Sequence, residues 1–315
     1  SVVLTILAII GIWEKDQPKY FGLGGGSNEK VKLSEYVAII KANKPLQRLM
    51  IAGGGCKLAL SIATNVTVLI MLYGCMMGDY DNLYLPMMVL GYVFAVPFFG
   101  LTVRTAQKKG QKASLVRYVA LAFCCYIGVL VLLLLWKQGD SAFNFSIMSD
   151  GKLSINLYTI LFILFFGVGY GAYYATADMP IPMVADCADY ETYRSGKFIP
   201  GIMGTLFSLV DKLVSSLSAT VVGIAVSFIG LETLPTKVTP YTPGMNVVVI
   251  VLFCIIPMIA WAATLIAMKG YDLTGERMKE IQAVNAMRKE AIANGMSMEE
   301  AMKINNVPEQ LKQAD

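Results

Sequence analysis

Histidine is absent from all 315 residues. That removes the commonest metal ligand and the commonest proton shuttle at neutral pH. The six cysteines (Cys56, Cys75, Cys124, Cys125, Cys187 and Cys254) form no C-x-x-C pair. Most lie in apolar runs, so they read as small helix-packing residues rather than a disulfide framework or a metal site. Charge is scarce as well: 15% of positions are charged against 56% apolar, well below the roughly one quarter charged that is usual in soluble domains. Neither H-E-x-x-H nor G-x-S-x-G occurs, so nothing assembles a nucleophile with its base and no enzymatic function is expected. No cofactor and no nucleic-acid partner are expected either.

What is present is apolar sequence in long runs. Six segments are long enough to cross a bilayer: 48–77, 84–103, 115–136, 155–177, 200–231 and 245–268. At 1.5 Å per residue each covers the hydrocarbon core. The fold class is therefore all-α, a polytopic membrane protein built around a six-helix bundle over 48–270. Residues 1–13 are apolar but too short to span, and they read as the trailing part of a transmembrane helix that starts upstream. Residues 14–47 read as a connector containing the flexible run Gly24-Gly25-Gly26-Ser27-Asn28. Leu33, Tyr36, Val37 and Ile40 follow it on one face of a short amphipathic helix lying on the membrane surface. Residues 271–315 read as a helical tail, with Thr274 capping a helix, Gly295 ending it, and Ser297 with Glu300 forming a capping box.

Lysine and arginine orient the bundle. With the 104–117 loop in the cytoplasm, 21 of the 26 basic residues fall on that side, 3 on the other (Lys137, Lys152, Lys237) and 2 within spans (Lys57, Lys212). The positive-inside rule then places the tail in the cytoplasm of a multi-pass protein of the cell membrane.

Asp211 and Lys212 interrupt an otherwise uncharged span. Ionisable groups at bilayer depth cost at least about 2.5–3.5 kcal/mol each, and they normally face a water-filled cavity or a partner. Thr205, Ser208, Lys212, Ser215 or Ser216, and Ala219 recur at helical spacing as one polar, small-residue face. An ammonium among hydroxyls suits sugar hydroxyls, a carboxylate elsewhere, or the place of a coupling cation. Asp211 lies about 100° round the helix from Lys212, so the two address different neighbours; a structural ion pair is the competing reading. Lys57, about two turns into its span, reads as a snorkelling lysine. Thr64 and Asn65 supply a hydroxyl and an amide inside the first span, for substrate or for helix bridging. Tyr170, Tyr173 and Tyr174 suit stacking on sugar faces, or packing and an interface belt. Asp186 and Asp189 share a helical face, where Arg104, Lys108 or Arg194 can clamp them in one conformation and release them in another, as a cytoplasmic gate; solvated surface charge is the alternative.

Several of these residues form a pattern. Ala185-Asp186-(two)-Asp189-Tyr190, Ser195-Gly196-Lys197, Gly201, Phe207 and Lys212 resemble the signature of the glycoside–pentoside–hexuronide:cation symporters, the melibiose permease-like family of the major facilitator superfamily. Asn43-Lys44-Pro45-Leu46 and Tyr271-Asp272-Leu273-Thr274-(two)-Arg277 agree with it. The chain departs from the pattern at Phe198, at Pro200, and at Leu213-Val214 after Lys212. The resemblance implies that the six spans are helices seven to twelve, the carboxyl-terminal half. It also implies import of a glycoside, pentoside or hexuronide with Na+ or H+ by alternating access, and an amino-terminal half that completes the site. By the same resemblance Lys212 lies near the sugar and cation sites, Asp186 and Asp189 belong to an ionic lock, and Tyr170, Tyr173, Tyr174 and Asp178 line the sugar cavity. Two other readings stand beside this one: a lipid or amphiphile carrier on the same scaffold, and a membrane-embedded sugar receptor or scaffold without transport.

Overall fold

The computed structural model describes residues 2–13, 33–140, 142–146, 148–149, 152–153 and 155–305. The Gly24–Asn28 run of the connector lies outside the described residues. The helices are α1 (Val2–Trp13), α2 (Leu33–Ala42), α3 (Lys44–Ala63), α4 (Val66–Leu69), α5 (Tyr80–Lys109), α6 (Gln111–Leu135), α7 (Leu157–Thr176), α8 (Pro180–Ser195), α9 (Pro200–Ser227), α10 (Met245–Ile250), α11 (Ile256–Lys269), α12 (Gly275–Ala293) and α13 (Met298–Ala301). Two π-helical stretches follow α4 and α10, over Ile70–Met76 and Val251–Ile255. A two-residue antiparallel ladder pairs Met148 with Leu153 and Ser149 with Lys152 between α6 and α7. Contacts divide the chain into two compact units. One comprises Ser1–Leu46, Val184–Leu206 and Asp272–Asp315; the other comprises Gln47–Met183 and Phe207–Tyr271.

Among the described residues of the second unit, five helical stretches are long and apolar enough to cross a membrane, some continuing into the first unit. They are Tyr80–Lys109, Gln111–Leu135, Leu157–Ser195, Pro200–Ser227 and Met245–Lys269. A sixth crossing is supplied by Lys44–Ala63 with Val66–Met76, a pair bent by 45°. The expected six spans are thus present in an all-α protein, and the first of them is broken. The break has a local cause. Asn65 is extended (φ −65°, ψ 128°) and its side chain accepts from the Thr67 amide, while the Thr64 hydroxyl donates to the Leu60 carbonyl. An N-cap inside an apolar run ends one helix and starts another.

Side-chain acceptors also cap α5 and α7: Asp79 takes the Asn82 amide and Asn156 the Thr159 amide. Between α5 and α6 the chain turns at Gly110 (φ +86°), in the left-handed region that a Cβ disfavours. Helices α5, α6 and α7 pack on one another, and α11 packs on α6.

Helix α3 is brought close to two neighbours by consecutive glycines. A Cβ on Gly53 would sit 2.6 Å from the Phe207 ring, and one on Gly54 would sit 3.3 Å from Val210, both on α9. On the other face, a Cβ on Gly55 would lie 2.6 Å from the Ala260 carbonyl oxygen of α11 and 2.5 Å from the Thr264 hydroxyl. That hydroxyl donates across the gap to the Ala52 carbonyl at 3.1 Å. Small residues let helix backbones approach where lipid supplies no hydrophobic driving force.

In the first unit Val3, Ile6 and Ile10 of α1 are exposed. Helix α2 buries Ile39 and leaves Val37 exposed, with Tyr36 and Ile40 half-buried. Toward the protein the line is Ile39, Asn43 and Leu46. The Asn43 amide fastens it, donating to the Cys187 carbonyl at 3.3 Å and to Glu191 at 3.1 Å. The tail helix α12 turns Met278, Ile281, Val284 and Arg288 inward. Ser297 and Glu300 form the expected capping box, and Gly295 has the positive φ (+93°) of a helix terminator. Thr274 occupies the N-cap of α12, but its side chain makes no capping bond.

Candidate functional site

The close approach of α3 to α9 decides which charges meet. One turn beyond Gly53 and Gly54 lies Lys57, and one residue beyond Val210 lies Asp211. Lys57 Nζ reaches Asp211 Oδ1 at 3.2 Å, with the two side chains 30% and 32% exposed. The lysine read as snorkelling thus has a carboxylate partner inside the bundle, and Asp211 has the structural ion pair named as its alternative reading.

Lys212 points elsewhere. It is exposed, as are Thr205, Ser208, Ser216 and Ala219, so the polar stripe of α9 is open along its length. The hydroxyls near it tend to be tied to their own helix: Thr205 donates to the Gly201 carbonyl and Ser215 to that of Asp211. Back-bonded hydroxyls keep their oxygen lone pairs free to accept. Only 17% of the most apolar stretch of α9 is buried, against 50% for Met245–Lys269. A polar, charged stripe on an apolar helix is incompatible with hydrocarbon, so this face must meet protein or a water-filled cavity.

The three tyrosines go into a different environment. Tyr170 and Tyr173 are buried and Tyr174 is half-buried. Tyr170 stacks on Tyr174 (5.4 Å between centroids), Tyr173 lies against Trp261 (5.3 Å), and Tyr126 sits edge-on to both Tyr173 and Trp261. This aromatic network ties α6 and α7 to α11. For Tyr170 and Tyr173 the surroundings are those of packing; Tyr174 retains an accessible edge. Tyr170 does come together with Thr64: both border a small cavity beside the break in the first span, shared with Tyr73 and Met87, with room for about one water (≈ 10 Å³). Asn65 serves the break itself. Asp178 is exposed in the turn between α7 and α8 and borders a separate crevice with Gln107 and Gln111.

The gate candidates divide between the units. Arg104, on α5, belongs to the second and is exposed; Asp186, Asp189 and Arg194, on α8, belong to the first. Within the first unit Arg194 pairs with Glu191, through Nη2 to Oε1 at 2.6 Å and Nε to Oε2 at 3.2 Å. Glu191 is 1% exposed and also takes Asn43 and the Ser195 hydroxyl. Asp189 accepts from Gln282 at 3.2 Å, and its backbone carbonyl accepts from Asn285 at 3.0 Å, both on α12. Asp186 is half-buried. Glu191 stands in the sequence only as a third acid beside Asp186 and Asp189, and Arg288 was not singled out. The i, i+3 spacing of Glu191 and Arg194 was the one available signal for the first.

The profile of the family described as MFS/sugar transport protein matches residues 2–275. The chain belongs to that family. It is accordingly a multi-pass membrane protein of the major facilitator superfamily. The chain is also similar to a protein of Pseudescherichia vulneris named "Uncharacterized 29.9 kDa protein in crtE 3'region", with 31% identity over 123 residues. That match covers 39% of this chain and 43% of the relative, so the chain spans less than half the length of the curated protein it matches.

Proposed function

We propose that this member of the MFS/sugar transport family is the carboxyl-terminal bundle of a melibiose permease-like symporter, importing a glycoside, pentoside or hexuronide with Na+ or H+. The observation that carries the reading is Lys212, an exposed ammonium on an exposed hydroxyl stripe of the least buried span. In this reading the stripe is one wall of a midplane cavity whose opposite wall is an amino-terminal bundle. Lys212 donates to sugar hydroxyls and responds to the coupling ion. Asp211, neutralised by Lys57, holds α9 in place. Glu191, braced by Arg194, fastens α8 to Asn43, and Asp189 fastens it to α12, at the end that closes toward a cytoplasmic tail, in the plasma membrane. The exposed Leu209, Leu213 and Leu217 on the same helix favour an amphiphile as the second substrate class.

The test is uptake of labelled glycosides, pentosides, hexuronates and lysophospholipids into vesicles holding the full-length protein, with and without imposed sodium and proton gradients. Gradient-driven accumulation of a sugar is expected, and Lys212→Ala should abolish it while membrane insertion persists. Wild-type uptake by Lys212→Ala overturns the assignment. Accumulation of the lysophospholipid alone would replace sugar with amphiphile.

A further inference from the structure

The crevice beside Asp178 has none of its described lining residues on α9. It is a cavity of about 460 Å³ within the second unit, bordered by the last turns of α5 (Phe99, Val103, Gln107), the first residue of α6 (Gln111), and Asp178 and Met179 after α7. That is inside the range of small-molecule sites, roughly 300–1,000 Å³. Phe99 lies 19 residues from the start of α5, about 28 Å along the helix axis, so the crevice opens near headgroup depth rather than at the midplane.

Its chemistry is one-sided. The polar functions are one carboxylate, two carboxamides and one hydroxyl, and no lysine or arginine among the described residues borders it. Gln111 Oε1 is buried and has no hydrogen-bond partner among the described residues. The hydroxyl of Thr102, also on the wall, is already committed to the Phe99 carbonyl at 2.9 Å. The remaining wall is apolar, and the Phe99 ring is held edge-on to Tyr174 at 6.1 Å. A carboxylate with amide oxygens accepts hydrogen bonds from a cation and repels an anion, and a ring face adds cation–π attraction. A buried amide oxygen left unpaired costs free energy that a donor recovers.

We propose that this crevice binds a primary ammonium carried on an apolar body, its N–H groups on Asp178 and Gln111 and its apolar part along Phe99, Val103 and Met179. The ammonium can come from a phosphatidylethanolamine headgroup or from a soluble arylalkylamine.

The full chain in phosphatidylcholine nanodiscs tests this, because that quaternary headgroup has no N–H to donate. One arm adds phosphatidylethanolamine and counts lipid retained per chain by native mass spectrometry. The other measures equilibrium binding of tritiated 2-phenylethylamine. Saturable binding of one equivalent in the first arm identifies the lipid source, and in the second the soluble one. Either is expected to weaken about tenfold or more in Asp178→Asn, the loss typical of a charge-assisted hydrogen bond, and to vanish in Ala106→Trp, where an indole replaces the methyl of another wall residue and fills the crevice. In the wild type alone, the N,N,N-trimethyl analogue of the amine should compete at least about tenfold more weakly than the amine. No saturable binding in either arm overturns the proposal. So does equal competition by the trimethyl analogue, or unchanged binding in Asp178→Asn.

Discussion

Removing either member of the Lys57–Asp211 pair should harm the protein more than removing both. At 3.2 Å the Coulomb energy of two unit charges is about 5 kcal/mol at an effective dielectric constant near 20, and about 1.3 kcal/mol in bulk water. Each side chain is about a third exposed, so screening pulls the value between those limits and desolvation takes a further share. A net coupling of about 1–3 kcal/mol follows. Lys57→Ala leaves a lone carboxylate, and Asp211→Ala a lone ammonium, where α3 and α9 are pressed together at Gly53 and Gly54. An unpartnered charge at that depth costs about 2.5–3.5 kcal/mol on insertion scales. Each single variant should therefore lower the unfolding midpoint of the purified protein by about 5–14 °C, taking about 2–4 °C per kcal/mol as for chains of somewhat smaller size. The double variant should lose less than either single variant, and exchanging the two charges should restore most of the midpoint. The measurement is a double-mutant cycle on thermal unfolding in detergent, with surface expression as a second readout. Strict additivity, or an exchanged pair as unstable as either single variant, would refute the claim that this contact holds the helices together.

Two further perturbations discriminate among the packing arguments. Gly55→Ala should cost more than Gly54→Ala, because the new methyl of the first meets the fixed Ala260 carbonyl at 2.6 Å and that of the second meets a Val210 methyl at 3.3 Å; about 1–3 kcal/mol is expected for the first, read as a lower unfolding midpoint. Equal midpoints would show that α3 and α11 are not held at contact there. Arg288 is 1% exposed and rests on neutral acceptors, the Tyr193 and Ile304 carbonyls and Asn305, with its guanidinium 5.1 Å from the Tyr193 ring. Arg288→Gln should free the tail at a cost of about 1.5–3 kcal/mol, seen as faster proteolysis within α12; an unchanged cleavage rate would refute the clasp.

The spans were legible because crossing a membrane depends on local quantities, the length and apolarity of one segment. The capping box of Ser297 and Glu300 was legible for the same reason: both partners lie within one turn. The polar stripe around Lys212 could be read from spacing, since an isolated straight helix keeps its phase. The break at Thr64-Asn65 was missed because average hydropathy outweighed a single capping residue. The three tyrosines carried two readings in sequence, and only their neighbours on α5, α6 and α11 separate packing from an accessible edge.

By itself, then, the sequence determined that this is an all-α membrane protein, where its helices run, and which residues share a face of each. Tertiary structure decided which charges meet. Lys57 and Asp211 are 154 positions apart, and their pairing depends on the relative rotation of α3 and α9 that the Gly53 and Gly54 contacts set. Glu191 finds Asn43, and Asp189 finds Gln282, through similarly distant approaches. Helical periodicity specifies a direction around one axis; a partner requires two axes brought to a fixed separation and rotation, which only packing supplies.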